Sequence, residues 1–355
     1  MENSNDLSGL LDLIIRPAFA VTGGIIEYCN PAAQGLLLSP GTPVSELFQT
    51  GEEEYASMES GCLYLSVCMG SQQFGASVIR MDGFDVFILE QEDTQPELQA
   101  MALAAKELRG PLANMITAAD RLEPANESEQ TYMQLLNRSL HQMLRIVGNM
   151  SDASRYTQQT APRQELRDVT AVIGEIFEKA TALAELAGVT LRFSNFPEPV
   201  LSMTDTEKLE RAIYNILSNA IKFSSAGSTV DAKLTKHGNK LHLTVRDTGS
   251  GIGDELLGSV FSRHLRQPGI EDGRHGIGLG LVMIRGAATA HGGTVLIEKN
   301  GEAGTKLTMT LAIRKNLSGN LDSPRLKVDY AGEFDHAMIE FSDVLPVNAF
   351  KVKGL

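Results

Sequence analysis

Asp247 closes an alternating run, LHLTVRD over 241–247, and glycines follow it at 249, 251 and 253. A strand that ends on a carboxylate and then turns tightly lets a flat ligand come close, and the carboxylate can accept a hydrogen bond from an exocyclic amine. Ile252 lies inside that turn. Upstream, RAIYNILSNAIKF places Asn215, Asn219 and Lys222 at i, i+4 and i+7, on one face of a helix, while Ile213, Ile216, Leu217 and Ala220 can turn toward a core. Neutral amide oxygens suit Mg²⁺, a hard cation that keeps several waters while bridging phosphates, and Asn219 is the position that would hold it. Lys222 offers a point charge for phosphate and Phe223 a flat face for a purine. Downstream, Gly276, Gly278 and Gly280, with Leu279 among them, open a helical run whose N-terminal amides and dipole favour phosphate. A helical asparagine pair alone reads as a solvated face, and a GxGxG alone as a turn. In this order and together they read as a site for a purine nucleotide.

The conjunction of NILSNAIKF at 215–223, DTGSGIG at 247–253 and GIGLGL at 276–281 resembles the GHKL ATPase fold, which includes the histidine kinases. The resemblance covers roughly residues 100–313. It implies ATP and Mg²⁺ as cofactors and makes Asp247 the residue that reads adenine. Asn215, Asn219, Lys222, Phe223, Gly249, Gly251, Ile252, Gly276, Gly278, Leu279 and Gly280 then surround the nucleotide. Arg263 and Arg266, in VFSRHLRQPG, resemble part of the family's lid, so that Asn219, Lys222 and Arg266 take the catalytic places. Pro268, Gly269 and Gly273 suit a mobile cover over 254–275. The family often has an aromatic residue where this chain has His264.

The resemblance also makes a demand upstream. Histidine kinases carry a His-Glu-Leu-Arg-Thr-Pro-Leu-like box on the first helix of a dimerisation hairpin, and AKELRGPLANM at 105–115 matches it at Glu107, Leu108, Arg109, Pro111 and Leu112. Lys106 stands where the phosphoacceptor histidine belongs. Imidazole serves there because its neutral form has a free lone pair near pH 7, whereas an ordinary lysine ammonium, with a pKa near about 10.4, has none. Gly110 replaces the hydroxyl or amide residue that many relatives use to position water. His141, in TYMQLLNRSLHQMLRIVGNM, is the nearby alternative, and reads as an ordinary hairpin-face histidine. The remaining histidines show no metal-ligand spacing.

The hairpin is legible from periodicity. Leu98, Met101, Ala105, Leu108, Leu112, Met115 and Leu122 recur at helical spacing, then Leu136, Leu140, Met143, Val147 and Met150, with Pro124 and Asn126 between the runs. Two such helices bury their stripes best against a second copy, in a four-helix homodimer like the family's.

Around these elements the chain reads as an α+β multidomain protein. Residues 8–93 give strand, glycine turn, strand, a short helix from Pro31 and three more strands, an antiparallel sheet domain that resembles a small PAS sensor. Residues 94–160 make the helical hairpin, and 165–314 a GHKL α/β sandwich with helices near 168–187 and 205–223. Residues 315–355 are a C-terminal extension in which VDYAG and HAMIEFSDVL have strand character. A length of 355 residues allows two or three cores, and 43% hydrophobic with 21% charged residues is ordinary for a folded chain. A net charge of -13 argues against nucleic acid as a partner. The apolar stretch LLDLIIRPAFAV is broken by Asp12 and Arg16, so neither a membrane span nor a signal peptide is expected, and the cytoplasm is the expected location. Cys29, Cys62 and Cys68 lack zinc spacing and read as reduced packing residues.

The functional expectation is a histidine-kinase-like ATP-binding protein of two-component signalling, with Lys106 standing against self-phosphorylation. A response regulator or another kinase is its expected partner. Two other readings stay open: a nucleotide-gated regulatory partner that performs no chemistry, and an ATP hydrolase of the wider GHKL group.

Overall fold

The structure, a computed structural model, describes residues 8–90, 96–157, 164–253, 260–261, 279–301, 303–315 and 335–350. The N-terminal part contains β1 (Ala18–Thr22), β2 (Ile25–Cys29), α1 (Pro31–Gln34), α2 (Glu52–Ser57), β3 (Gly61–Met69), β4 (Gln72–Met81) and β5 (Phe84–Glu90). Asn30 organises its entry. The fully buried side chain accepts from the Ala33 amide at 2.9 Å, capping α1, and from the Ala18 amide at 3.0 Å, while its Nδ2 donates to the Ile14 and Arg16 carbonyls. Phe19 and Phe87 stack at 4.8 Å in the core beneath.

Two long helices follow, α3 (Pro96–Ala119) and α4 (Glu127–Thr157). Glu129 and Asn126 fix the turn between them: the Glu129 amide donates to Asn126 Oδ1 at 3.0 Å, and Glu129 Oε2 accepts from the Ala125 amide at 2.8 Å. The apolar stripe divides into two sets. Ala105, Leu112, Ile116 and Ala119 pack against Leu140 and Val147, whereas Leu108, Met115, Leu122, Leu136 and Met143 stay exposed.

The third part is an α/β layer: β6 (Glu165–Asp168), α5 (Val169–Leu186), β7 (Thr190–Ser194), β8 (Leu201–Thr204), α6 (Thr206–Phe223), β9 (Thr229–His237), β10 (Lys240–Arg246), α7 (Gly280–Ala290), β11 (Val295–Lys299) and β12 (Thr305–Ala312). Asp168 caps α5 by accepting from the Thr170 amide at 3.1 Å, as its position before the helix predicts. Side chains of α5, α6 and α7 form one core with the inner faces of β7 and β9–β12. The short strands β6 and β8, which no sequence pattern marks, pair with each other to one side.

Nothing in the sequence pattern announces the junction between these parts. Among the described residues ten strands make one sheet, in the order β2-β1-β5-β4-β3-β11-β12-β10-β9-β7. Its N-terminal half joins the rest through antiparallel pairing of β3 with β11, where Cys62, Leu63 and Tyr64 face Ile297, Leu296 and Val295. Gly61 makes the approach possible: its φ is +97°, and a Cβ there would lie 2.2 Å from the Ile297 carbonyl oxygen. Buried charge reinforces the seam. Arg285 of α7 pairs with Glu90 at the end of β5, donates to the Phe261 carbonyl at 3.0 Å and lies 5.2 Å from the Tyr64 ring, while Lys240 Nζ meets Glu54 at 2.8 Å.

The C-terminal residues correct one expectation. His336–Glu340 is a helix, α8, rather than a strand. Asp335 accepts from the Ala337 amide at 2.8 Å, and this cap commits an apolar run that alternates like a strand to a helical turn wedged against α4, α5 and α6. VDYAG lies outside the described residues. No helix among the described residues is long and apolar enough to cross a membrane.

Gly61→Ala should cost about 3 kcal/mol, since it adds a backbone clash to a left-handed conformation. Gly83, at φ +92° and with nothing within 4 Å of where a Cβ would stand, carries the conformational strain alone. Its alanine variant should cost only about 1 kcal/mol in urea unfolding. Equal losses would mean that the β3–β11 contact adds nothing.

Candidate functional site

Helix α6 is the axis of the site. Asp205 caps its start by accepting from the Lys208 amide at 3.1 Å. Its apolar face, from Leu209 to Ile221, is inserted in the core. Asn215, Asn219 and Lys222 share the opposite edge and grade from closed to open: Asn215 is 1% exposed, Asn219 and Lys222 are half-buried, and Phe223 is 44% exposed. Lys222 Nζ lies 5.7 Å from the Phe223 ring.

Two glycine turns meet this helix at different heights. At its C-terminal end, the absent side chain of Gly249 leaves room for the Phe223 carbonyl, which a Cβ would approach to 2.3 Å, and the Ser250 amide donates to the same carbonyl at 3.3 Å. Near its middle, a Cβ on Gly280 would lie 3.0 Å from Asn215 Oδ1 and 3.9 Å from Asn219 Nδ2, so the first residue of α7 sits directly on the asparagine pair. Leu279 is buried beside Val282, Met101 and Met150, and Ile252 packs against the main core. Asn215, Asn219 and Gly280 therefore come together, as do Phe223 and Gly249. Gly276, Gly278, Arg263 and Arg266 fall outside the described residues.

Asp247 follows β10 and is 6% exposed. Burial pushes its carboxyl pKa up, and the Gly249 amide at 2.9 Å and the Thr305 amide at 3.1 Å, both donating to Oδ1, pull the other way. The backbone behind it is held by Asn300, whose Nδ2 donates to the Asp247 carbonyl at 2.8 Å. Gly304, with φ +102°, completes the cradle, because a Cβ there would fall 2.2 Å from that carbonyl. Sequence reasoning passed over Gly304 and Asn300; the signal available was a glycine directly before the strand TKLTMTLA.

The hairpin also reaches this helix, through a residue the sequence did not single out. Arg145 of α4 is 8% exposed, and its Nη2 lies 3.3 Å from Ser218 Oγ and 3.5 Å from Asn215 Oδ1. Asn215 Nδ2 donates in turn to the Arg211 carbonyl at 2.9 Å. Lys106 and Gly110 lie exposed on α3, while Arg109 donates to Ser151 Oγ at 2.9 Å. His141 packs on Phe350 at 5.1 Å with Nδ1 at 2.7 Å from the Asn137 carbonyl, and burial lowers its pKa.

His291 ties the two site helices together. It ends α7, where Nδ1–H donates to the Ala287 carbonyl at 2.7 Å, and Nε2 accepts from the Asp205 amide at 3.0 Å, at the cap of α6. That pattern is the neutral tautomer, and burial lowers the pKa of the ring.

Residues 204–315 match the family described as histidine kinase-, DNA gyrase B-, and HSP90-like ATPase. Among curated proteins, the chain is 31% identical over 236 residues to hybrid signal transduction histidine kinase D of Dictyostelium discoideum, a stretch that is 63% of this chain and 15% of that protein. It is 29% identical over 212 residues to sensor histidine kinase CusS of Escherichia coli (strain K12), covering 58% of this chain and 44% of the relative. With sporulation kinase A of Bacillus subtilis (strain 168) it shares 24% identity over 247 residues, 67% of this chain and 40% of the other. The chain thus spans less than half the length of each.

The state of His291 predicts a pH dependence. Its folded pKa lies below the unfolded value of about 6.5, so the stabilisation is full above that pH and is lost as the pH falls from there through the lower folded value. His141 and His242, also lowered by burial, act in the same direction. The melting temperature should fall between about pH 7 and pH 5, and His291→Gln should lower it at about pH 7.5 while flattening that slope. A slope unchanged in the variant would show that His291 does not titrate differently on unfolding.

Proposed function

Since the chain belongs to the sensor histidine kinase family by its ATPase domain, we propose that it binds Mg·ATP in two-component signalling and acts on a partner rather than on its own hairpin. Asn219 is the residue to hold Mg²⁺, whose charge offsets that of the phosphates when bound. Asp247 is the acceptor for the adenine amine, Lys222 the phosphate contact and Phe223 the purine face. Leu279 and Gly280, with Gly276, Gly278 and Arg266, complete the phosphate end. Two features support the fit: the close approach of Gly280 to Asn215 and Asn219, which brings the second glycine run onto the asparagine face, and a buried carboxylate at 247 held by two backbone amides.

The observation that carries the second half is Lys106, a solvent-exposed ammonium side chain on the outer surface of α3 at the acceptor position. An ammonium offers no lone pair to a phosphoryl group. The remaining organisation belongs to the same reading: a PAS-like sensor over 8–93, a dimerisation hairpin over 94–160, an ATP-binding domain over 165–314 and an extension over 315–355. Exposed Leu108, Met115, Leu135, Leu136, Met143 and Ile146 support pairing of the hairpin with a second copy, and a response regulator or another kinase is the partner that the signalling role requires.

Incubation with γ-labelled ATP and Mg²⁺, beside a nucleotide-binding assay on the same sample, tests the proposal. Binding without acid-labile label is expected. Label on the chain would overturn the view of Lys106, and steady phosphate release would instead identify an ATP hydrolase. Asn219→Asp should weaken Mg·ATP binding at least about tenfold; binding with unchanged metal dependence would remove Asn219 from the metal. Lys106→His should gain label if the nucleophile is the missing part.

A further inference from the structure

We propose that residues 335–350 are an intramolecular clamp that fastens hairpin helix α4 to helix α6, with Glu340 as its pin. Glu340 is fully buried and touches both helices at once: Arg145 Nε of α4 donates to Oε2 at 3.2 Å, and Arg211 Nε of α6 donates to Oε1 at 3.2 Å. Asn215 Nδ2 approaches Oε2 at 3.4 Å. Asp343, at the rim, receives Arg145 Nη1 at 2.6 Å, and the Ser342 carbonyl accepts from Arg138 and Gln142, each at 3.4 Å. Apolar groups seat the segment on the same two helices: Phe341 and Leu345 enter the main core, Phe341 edge-on to Tyr214 at 5.8 Å, and Phe350 meets His141. His336 closes the other end against Glu210 of α6 at 3.0 Å.

The signs of the charges decide what this arrangement does. Arg145 and Arg211 come from different helices, both are buried, and both share one carboxylate. With Glu340 present, two buried guanidiniums from different helices are compensated by one shared carboxylate; without it Arg145 keeps its pair with Asp343, but the charged link that ties α4 to α6 is lost. The segment therefore supplies a charged link between α4 and α6, beyond the area it buries. Arg145, held by Glu340 and Asp343, also reaches Asn215 Oδ1 beside Asn219. The seating of α4 and occupancy of the α6 face are then coupled, and the coupling works both ways. That last step rests on the nucleotide reading of the α6 face; the clamp itself does not.

Hydrogen exchange on the full chain without nucleotide tests the clamp alone. In Glu340→Gln, amides of α4 between residues 138 and 150 should exchange at least about tenfold faster while those of α6 from 209 to 217 keep their protection. Asp343→Ala, at the partly exposed rim, should move α4 in the same direction by less and leaves the buried pin intact should Glu340→Gln fail to fold. Unchanged α4 exchange in a folded variant, or equal acceleration of α4 and α6, would overturn the clamp. Mg·ATP affinity of the same variants should shift several-fold; an unmoved affinity with loosened α4 would overturn the coupling and leave the clamp standing, and absent binding in the wild type would count against the nucleotide reading instead.

Discussion

Polar side chains buried on α6 are costly unless they meet partners inside the protein, and that cost shapes what surrounds the helix. Arg211, Asn215 and Ser218 are cut off from water on an element whose other sides are core. Their partners arrive from outside the α/β layer: Arg145 and Asn149 from the hairpin, Glu340 from the C-terminal segment. A helix packed only by apolar contacts would need neither. One turn further along, the same edge opens and Asn219 and Lys222 become half-buried, so a single helix face serves both the interior and the site.

The site itself depends on closeness of backbone. Gly249 lies against the end of α6, Gly304 against the carbonyl of Asp247 and Gly280 against the asparagine pair, and a methyl group at any of them would displace its neighbour or crowd it. Asp247 is thereby fixed as an acceptor: burial favours its neutral form, and two amides aimed at Oδ1 favour the charged one. The neutral His291 links the end of α7 to the cap of α6 through one hydrogen bond to each.

What the sequence made legible was local and periodic. Asn215, Asn219 and Lys222 stood out because i, i+4 and i+7 share a face, Asp168 because a carboxylate before an apolar helical run is a cap, and Asp247 because a strand that ends on a carboxylate before tightly turning glycines lets a ligand come close to it. What stayed hidden was pairing at long range. Strands β6 and β8 are too short to show a period, and the β3–β11 register depends on a glycine at 61 meeting a carbonyl at 297. Arg145 sits in an ordinary amphipathic helix, where its fate depends on an acid from the far end of the chain. His336–Glu340 failed for a different reason: its apolar alternation suits a strand, and only the Asp335 cap with three helices around it selects a helix.

The union of the two half-sheets bears on how the chain reaches this state. Strand β3 is complete early in the sequence, yet its partner β11 begins at Val295, after nearly all the other described elements. On a growing chain, the first sheet would stand with β3 as an open edge through most of synthesis. Closing a loop of that length comes late and slowly. Alternating buried Cys62 and Tyr64 would then wait in solvent for the core of α5, α6 and α7, so the seam that makes one sheet of the finished protein is also the stretch most open to wrong pairing before it is finished.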